Sequence, residues 1–210
     1  MRLPGAVRTL RGLARLTCGV LDILGYRLAI DVLGISWGGA LAQEFVLTFP
    51  NRVRRLVLAA TSTGWLSVPG NPKALWVLAT PRRYYSPSYF EKIAPTLYGG
   101  AVRDDPGLLR RQGHLRFIHP PSIRGYLWQL AAGLGWTSLH RLHRVKTPTL
   151  VLAADDDPII PLAGSKLMAR LLRRSRLHVV HQGGHLFLVT HAAVVAPTIE
   201  DFLREPIHAL

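Results

Sequence analysis

The chain of 210 residues is long enough for one globular domain, or for a core with a small insertion. Hydrophobic residues make up 49% and charged residues 18% of it, which supports a buried core and excludes a disordered protein. The net charge of +14 suits an anionic partner, but it comes from scattered arginines without a zinc-finger or RNA-binding signature, so we expect no nucleic-acid partner. The single cysteine, Cys18, argues against a disulfide scaffold.

The first 25 residues predict a helix. Apolar residues between positions 7 and 24 recur at helical spacing, and Gly25 is a typical C-terminal stop. A signal peptide fits less well, because Asp22 interrupts the apolar stretch and no small-x-small cleavage site follows. No apolar run in the chain reaches the roughly 20 residues needed to span a bilayer. We therefore expect a soluble, cytoplasmic protein without a transmembrane segment.

Strands and helices alternate on both sides of a middle segment. Short apolar runs predict strands at residues 28–33, 53–60, 149–154 and 177–180. Segments rich in helix formers predict helices at residues 37–49, 161–172 and 192–203. This alternation indicates an α/β fold, in which a parallel sheet is joined by crossover helices.

Residues 65–145 interrupt the alternation. The segment is rich in proline and glycine and holds four of the five tryptophans and five of the six tyrosines. Helix-compatible pieces occur at residues 74–79, 89–97 and 123–132. We predict that residues 1–64 and 146–210 form the α/β core and that residues 65–145 form a helical cap or lid over the sheet.

A candidate nucleophile lies between the first predicted strand and the following helix. The pentapeptide Gly34-Ile35-Ser36-Trp37-Gly38 matches the G-x-S-x-G nucleophile elbow, in which a sharp strand-to-helix turn exposes the serine. The pattern is only moderately specific by itself, but an apolar strand before it and a helix after it are the context that it requires. The alternative, that Ser36 merely caps a helix, explains neither glycine.

The elbow predicts an acid after a later strand. The strand at 149–154 is followed by three aspartates, and Asp157 is favoured because it begins the turn that leads to the next helix. Asp155 is the second choice, and Asp155 and Asp156 are otherwise expected to cap the turn in solvent. A metal site is disfavoured, because no nearby histidine or glutamate completes a ligand shell.

The elbow also predicts a histidine after the last strand. His185 follows two glycines and precedes an apolar stretch, which suits an imidazole close to the nucleophile. His181 is expected to end the strand instead. With Ser36 and Asp157, His185 predicts a serine hydrolase that works through an acyl-enzyme.

The oxyanion of such a reaction needs backbone N–H donors, each typically worth about 3 kcal/mol. The amide of Trp37 is one candidate. The second donor normally lies in an upstream loop marked by His-Gly, but no His-Gly occurs in residues 1–33 and only one predicted strand precedes the elbow. A fragment or misplaced start codon, a different donor and an inactive protein would each explain this. We favour the first, because the remaining parts follow in the expected order, and so we expect the front strands of the fold to be missing.

Several sequence blocks together resemble one enzyme family, and some of them are not generic hydrolase motifs. The blocks are residues 34–43, 56–61, 81–84, 93–95, 98–100, 128–130, 133–138, 155–161 and 184–188. They resemble the intracellular poly(3-hydroxyalkanoate) depolymerases of bacteria, which act on medium-chain storage polyesters. The similarity extends from about residue 10 to residue 203.

This resemblance implies an α/β-hydrolase fold and ester hydrolysis of a storage polyester by Ser36, Asp157 and His185. It implies no cofactor and no metal. The implied substrate is a hydrophobic polyester or ester, and the surface of a storage granule is a further implied partner. The aromatic insertion would bind the alkyl side chains of the polymer, although packing of its own core is expected to engage more of these rings. The alternatives are a general carboxylesterase or lipase for small esters and an inactive truncated homologue.

Overall fold

The computed structural model describes residues 9–109 and 117–206. Within these ranges the chain forms strands and α-helices that are numbered here in chain order. The strands are β1 (Ile30–Ile35), β2 (Val53–Ala59), β3 (Thr149–Ala154) and β4 (Ser175–Val180). The helices are α1 (Leu10–Ile23), α2 (Trp37–Thr48), α3 (Pro72–Leu78), α4 (Pro87–Tyr98), α5 (Ala101–Asp104), α6 (Ile123–Gly133), α7 (Leu162–Leu171), α8 (Phe187–Thr190) and α9 (Ala192–Arg204). Short 3-10 turns lie at Pro50–Arg52, Pro81–Tyr84, Pro106–Leu109 and Leu142–Arg144.

The four strands form one parallel sheet in the order β1-β2-β3-β4. Each strand therefore follows its neighbour in the chain, and helices or longer segments provide the crossovers. The pairing confirms the α/β prediction. It also aligns the carboxyl ends of the strands at one edge of the sheet, where Ile35 pairs with Ala59 and Ala154 pairs with Val180.

The sheet is covered on both faces. Leu56 and Leu58 of β2 pack in a cluster with residues of α2 and α7, and α1 packs against α2 in the same cluster. Val57 and Ala59, which alternate with them, pack in a second cluster with residues of α8 and α9. Burial of each large aliphatic side chain stabilises such a core by about 1.5–3 kcal/mol.

Element boundaries differ from the predictions by a few residues. β1 is observed at Ile30–Ile35 rather than at 28–33, because Ile30 is the residue opposite Val53, where β2 begins. The start of the first helix, predicted near residue 7, lies outside the described residues. Its end agrees, since Gly25 follows it with a φ of 84°.

Residues between β2 and β3 form the helices α3 to α6 and three of the 3-10 turns. Phe90, Leu97 and Tyr98 of α4 belong to a separate apolar cluster that also includes Ile159 from the loop after β3. Trp65 and Trp76, in contrast, are largely exposed. Residues 110–116 of the predicted insertion lie outside the described ranges. None of the helices in the described part of the chain has the length and apolar character needed to cross a membrane.

Candidate active site

Ser36 sits in the turn between β1 and α2 with a strained backbone. Its φ of 52° and ψ of −119° are unusual for a residue with a side chain, and such conformations cost of the order of 1–3 kcal/mol. Two hydrogen bonds hold the turn: the Ser36 N–H donates to Ala59 O at 2.9 Å, and the Thr61 hydroxyl donates to Ser36 O at 2.7 Å. The end of β2 therefore fixes the strained residue.

The glycines around Ser36 do not contribute equally to this turn. A Cβ at Gly34 would lie 2.6 Å from Gly38 O and from the Ala42 Cβ, and one at Gly39 would lie 2.4 Å from the Thr61 side chain. A Cβ at Gly38 would meet no atom within 4 Å. Close packing therefore requires glycine at positions 34 and 39, whereas the second glycine of the G-x-S-x-G pattern lies in open space.

Ser36, His185 and Asp157 form a continuous hydrogen-bonded chain. His185 Nε2 lies 3.0 Å from Ser36 Oγ, and His185 Nδ1 lies 2.7 Å from Asp157 Oδ2. His185 and Asp157 are each only 7% exposed. Ser36 makes no side-chain capping bond to α2, so the hydroxyl does not serve the helix. The structure thus brings together the three side chains that the sequence predicted.

The carboxylate of Asp157 is held by the backbone that follows it. Its second oxygen, Oδ1, accepts hydrogen bonds from Ile159 N at 2.8 Å and from Ile160 N at 2.9 Å. These bonds turn Oδ2 toward the imidazole and leave the carboxylate little freedom to rotate. A carboxylate in this position favours the imidazole tautomer with its proton on Nδ1, which leaves Nε2 free to accept a proton from Ser36.

The neighbouring aspartates have other partners. Asp155 lies 3.0 Å from Nδ1 of the exposed His181. Asp156 accepts hydrogen bonds from the Gly100 N–H at 2.7 Å and from the Arg103 guanidinium at 2.9 Å, so it is tied to α5 rather than simply capping its own turn in solvent. Among the residues described, no group of three or more His, Cys, Asp or Glu is arranged to hold a metal ion.

The loop that carries His185 packs directly against the segment after α4. The His185 N–H donates to Tyr98 O at 2.7 Å. A Cβ at Gly184 would lie 2.0 Å from that same carbonyl oxygen, and one at Gly100 would lie 2.2 Å from Gly184 N. Glycines on both sides therefore allow the two backbones to approach closely enough for this bond.

A cleft of about 470 Å³ opens over Ser36. Its walls come from the elbow and the loop after β2 on one side, and from residues between 78 and 136 and Ile160 on the other. Most of these residues are apolar or aromatic, among them Leu78, Tyr84, Leu130 and Trp136. The Trp37 indole N–H donates to Gln129 O at 3.1 Å and so links the elbow to α6.

The sequence profile of the alpha/beta hydrolase family matches residues 3–198. The chain belongs to the α/β-hydrolase family. Sheet topology, elbow and family match agree, and they confirm the fold predicted from the sequence.

Curated relatives of this α/β hydrolase include the poly(3-hydroxyalkanoate) depolymerase of Ectopseudomonas oleovorans. The two sequences are 52% identical over 92% of this chain and 67% of the relative. The resemblance predicted from the sequence blocks is thereby confirmed. The 2-hydroxymuconate semialdehyde hydrolase of Pseudomonas putida is 31% identical, over 89% of this chain and 66% of the relative. The chain thus spans about two thirds of the length of these relatives.

Solved structures of other α/β hydrolases share the fold. The thermophilic esterase from Thermogutta terrifontis superimposes with a TM-score of 0.75 at 26% identity, covering 97% of this chain and 75% of the esterase. The enol-lactonase from Burkholderia xenovorans LB400 gives a TM-score of 0.78 at 19% identity, covering 94% of this chain and 74% of the lactonase.

Sequence reasoning missed several residues that shape the site of this α/β hydrolase. Thr61 has no motif that marks it in the sequence, and only the parallel pairing of Ile35 with Ala59 shows that it lies beside the elbow. The contact of Tyr98 with His185 had no local signal beyond the glycines at 99 and 100. Arg83, which also lines the cleft, lies in one of the resembling blocks but has no motif of its own.

Proposed function

We propose that this α/β hydrolase cleaves carboxylic esters through a Ser-His-Asp triad formed by Ser36, His185 and Asp157. The observation that carries the proposal is the unbroken chain of hydrogen bonds from Ser36 Oγ through the imidazole to the Asp157 carboxylate, with contacts of 3.0 and 2.7 Å. A serine hydroxyl becomes a strong nucleophile only when a base takes its proton, and the His185 imidazole is a base within hydrogen-bonding distance of Ser36.

In the proposed reaction, His185 Nε2 accepts the proton of Ser36 while Oγ attacks the ester carbonyl. Trp37 is the first residue of α2, so its backbone N–H has no acceptor within the helix and is free to stabilise the oxyanion. The imidazolium then gives its proton to the departing alkoxide, which leaves an acyl-enzyme on Ser36. A water molecule, deprotonated by His185, then attacks the acyl group. The bond between the acyl carbon and Ser36 Oγ breaks, the imidazolium returns its proton to Oγ, and the acid is released.

The proposed substrate is a poly(3-hydroxyalkanoate) storage polyester. The 52% identity to a depolymerase of this class and the aromatic and apolar walls of the cleft support this choice. Residues 65–145 would act as the lid that receives the alkyl side chains, since most of one cleft wall belongs to them. The place of action would be a granule surface in the cytoplasm, where the exposed Trp65 and Trp76 would contact the polymer.

A comparison of polymer and small-ester hydrolysis tests the substrate. We expect the protein to clear a latex of medium-chain polyester, and the Ser36→Ala variant to bind the latex without clearing it. Activity confined to short p-nitrophenyl esters, with no clearing or binding of latex, would instead identify a general esterase.

A serine-reactive fluorophosphonate probe tests the chemistry independently of the substrate. We expect labelling of the folded protein that is abolished in Ser36→Ala, because the probe reacts with activated serines. Absence of labelling in folded protein would support the alternative of an inactive homologue.

A further inference from the structure

The cleft over Ser36 contains a buried positive charge that the proposed reaction does not use. Arg83 lies in the 3-10 turn Pro81–Tyr84, between α3 and α4, and is only 6% exposed. Its side chain lines the same cleft as Ser36. Arginine is among the residues most rarely buried without a charged partner, so its position needs a physical explanation.

The partners of Arg83 are all neutral. One guanidinium nitrogen, Nη1, donates to Thr80 O at 3.1 Å and to the Tyr126 hydroxyl at 2.7 Å, and Nη2 lies 3.3 Å from the Tyr84 hydroxyl. The guanidinium carbon also lies 4.6 Å from the centre of the Tyr84 ring and 5.2 Å from that of Tyr126. In residues 9–109 and 117–206, no aspartate or glutamate forms an ion pair with Arg83.

These surroundings keep the guanidinium charged. Burial lowers the pKa of Arg83, whereas Tyr84, Tyr126 and Tyr98 raise it, and the net direction is upward. An arginine is protonated at neutral pH in any case. Contacts with aromatic rings offset only part of the loss of hydration of a buried cation. An anion that entered the cleft could therefore form an ion pair with Arg83, since no described acidic residue does so.

We propose that Arg83 binds the free carboxylate of an acid-terminated ester whose scissile carbonyl lies at Ser36. In a short oligomer of a 3-hydroxy acid, that carboxylate lies one hydroxyacyl unit beyond the last ester bond. The planar guanidinium matches a carboxylate with two parallel hydrogen bonds, which fixes orientation as well as charge. The inference rests on the proposed function and adds a preference for acid-terminated chain ends and short oligomers over internal esters.

A purely structural role for Arg83 leads to a different expectation. In that case the guanidinium would only hold Tyr84 and Tyr126 together, and its removal would lower the affinity for every ligand by the same factor. A matched pair of ligands that differ only in the terminal charge separates the two roles.

The experiment uses the dimeric ester of 3-hydroxyoctanoic acid and the methyl ester of that dimer. Binding of each is measured by isothermal titration calorimetry to the Ser36→Ala protein, which does not turn the ligands over. We expect the free acid to bind at least about tenfold more tightly than its methyl ester, as for other desolvated charge pairs. Arg83→Gln should abolish this preference, and Arg83→Lys should retain part of it.

The control is Arg82→Gln, which removes the same charge from the adjacent, exposed residue that stacks on Tyr89. It should leave the preference for the free acid intact. Equal binding of acid and methyl ester to Ser36→Ala would overturn the proposal, as would an equal loss of both in Arg83→Gln. If Arg83→Gln does not fold, the test compares the ratio of the two affinities, for the acid and for its methyl ester, in proteins with Arg83 and with Arg83→Lys. A ratio that is equal in both proteins would then contradict the proposal.

The outcome is separable from that of the proposed function. Acid-selective binding in a protein that neither reacts with fluorophosphonate nor hydrolyses esters would contradict the triad but support the carboxylate site. Normal ester hydrolysis without a preference for the free acid would support the triad but contradict the carboxylate site.

Discussion

At the scale of single residues, the two His–Asp pairs after β3 and β4 differ in their surroundings. Asp157 accepts two backbone hydrogen bonds and contacts a buried imidazole, whereas Asp155 contacts His181 at the exposed surface. Only the buried pair continues to a serine. Burial and fixed orientation let a carboxylate select one imidazole tautomer, and an exposed pair gains little from its contact.

Replacing Asp157 with asparagine tests this distinction. The amide oxygen can still accept from Ile159 and Ile160, so the NH₂ group faces His185 and forces the proton onto Nε2. We expect the fold to persist and kcat to fall by roughly 10⁴-fold, because the imidazole then carries the wrong tautomer. Rates of ester hydrolysis and a circular dichroism melt measure the two effects.

The matched control is Asp155→Asn, the same change two residues earlier. Since its partner is an exposed histidine, we expect a rate within about twofold of the wild type. If Asp155→Asn lowered kcat strongly and Asp157→Asn did not, Asp155 would be the acid of the triad.

At the scale of elements, the elbow and the His185 loop are held by backbones that approach unusually closely. Thr61, two residues after β2, donates to the carbonyl of Ser36, and Tyr98 at the end of α4 accepts from the amide of His185. Both approaches depend on glycines, at position 39 in the first case and at positions 100 and 184 in the second. The nucleophile and the base are therefore positioned by segments outside their own loops.

Gly184→Ala tests the packing of the His185 loop. The new methyl group would lie 2.0 Å from Tyr98 O, which is a backbone atom and cannot rotate away. We expect the free energy of unfolding to fall by about 2 kcal/mol and ester hydrolysis to drop with it, because the loop must shift. Urea unfolding and a rate assay on the same protein measure both.

Gly19→Ala is the control, since a Cβ on this residue of α1 meets nothing within 4 Å. It should be neutral or stabilise the protein by up to about 1 kcal/mol, as alanine favours a helix interior. Wild-type activity and stability in Gly184→Ala would show that the contact with Tyr98 is dispensable.

The elements and the candidate triad were predictable because their signals are local. The apolar run around residues 53–59 predicts a strand. Gly34, Ser36 and the helix-forming residues that follow them predict a nucleophile elbow. The order of the strands placed the acid and the base in two loops, and the turn after Asp157 and the glycines before His185 favoured these residues over Asp155 and His181. The contacts of Asp156 with Gly100 and of Glu44 with Trp136 were not predictable, because each joins residues far apart in sequence and depends on how the insertion packs.

At the scale of the whole molecule, Glu44 connects three parts of the chain. This residue of α2 is almost fully buried and accepts hydrogen bonds from Arg11 of α1 at 3.1 Å, from the Trp136 indole at 2.9 Å and from Arg141 at 2.8 Å. Burial raises the pKa of Glu44, but the bonds from Arg141, Trp136 and Arg11 outweigh it, and the pKa is lowered below its usual 4.5. The charged carboxylate therefore stabilises the folded state.

Glu44→Gln should reduce the free energy of unfolding by about 2 kcal/mol at pH 7, since hydrogen bonds to a charged acceptor are lost. A lowered pKa in the folded state means that this contribution is complete above pH 4.5 and is lost as the pH falls through the folded-state value. The difference between wild type and variant should therefore shrink in acid.

Urea unfolding of both proteins at pH 7 and at progressively lower pH measures this difference. Glu200→Gln, which breaks an exposed pair with Arg204 on α9, is the control and should change little at either pH. A gap that stayed constant or widened in acid would contradict the assigned role of the Glu44 charge.

The hydrogen bond from His185 N–H to Tyr98 O also sets a condition for protein engineering. Consider a chimaeric hydrolase in which the segment between β2 and β3 is replaced by the corresponding segment of another scaffold. The new segment must place a backbone carbonyl where Tyr98 O now accepts from His185 N–H. It must also carry glycine or an equally small residue at positions 99 and 100. A donor chosen only for the shape of its substrate pocket would leave the base of the recipient without its backbone support.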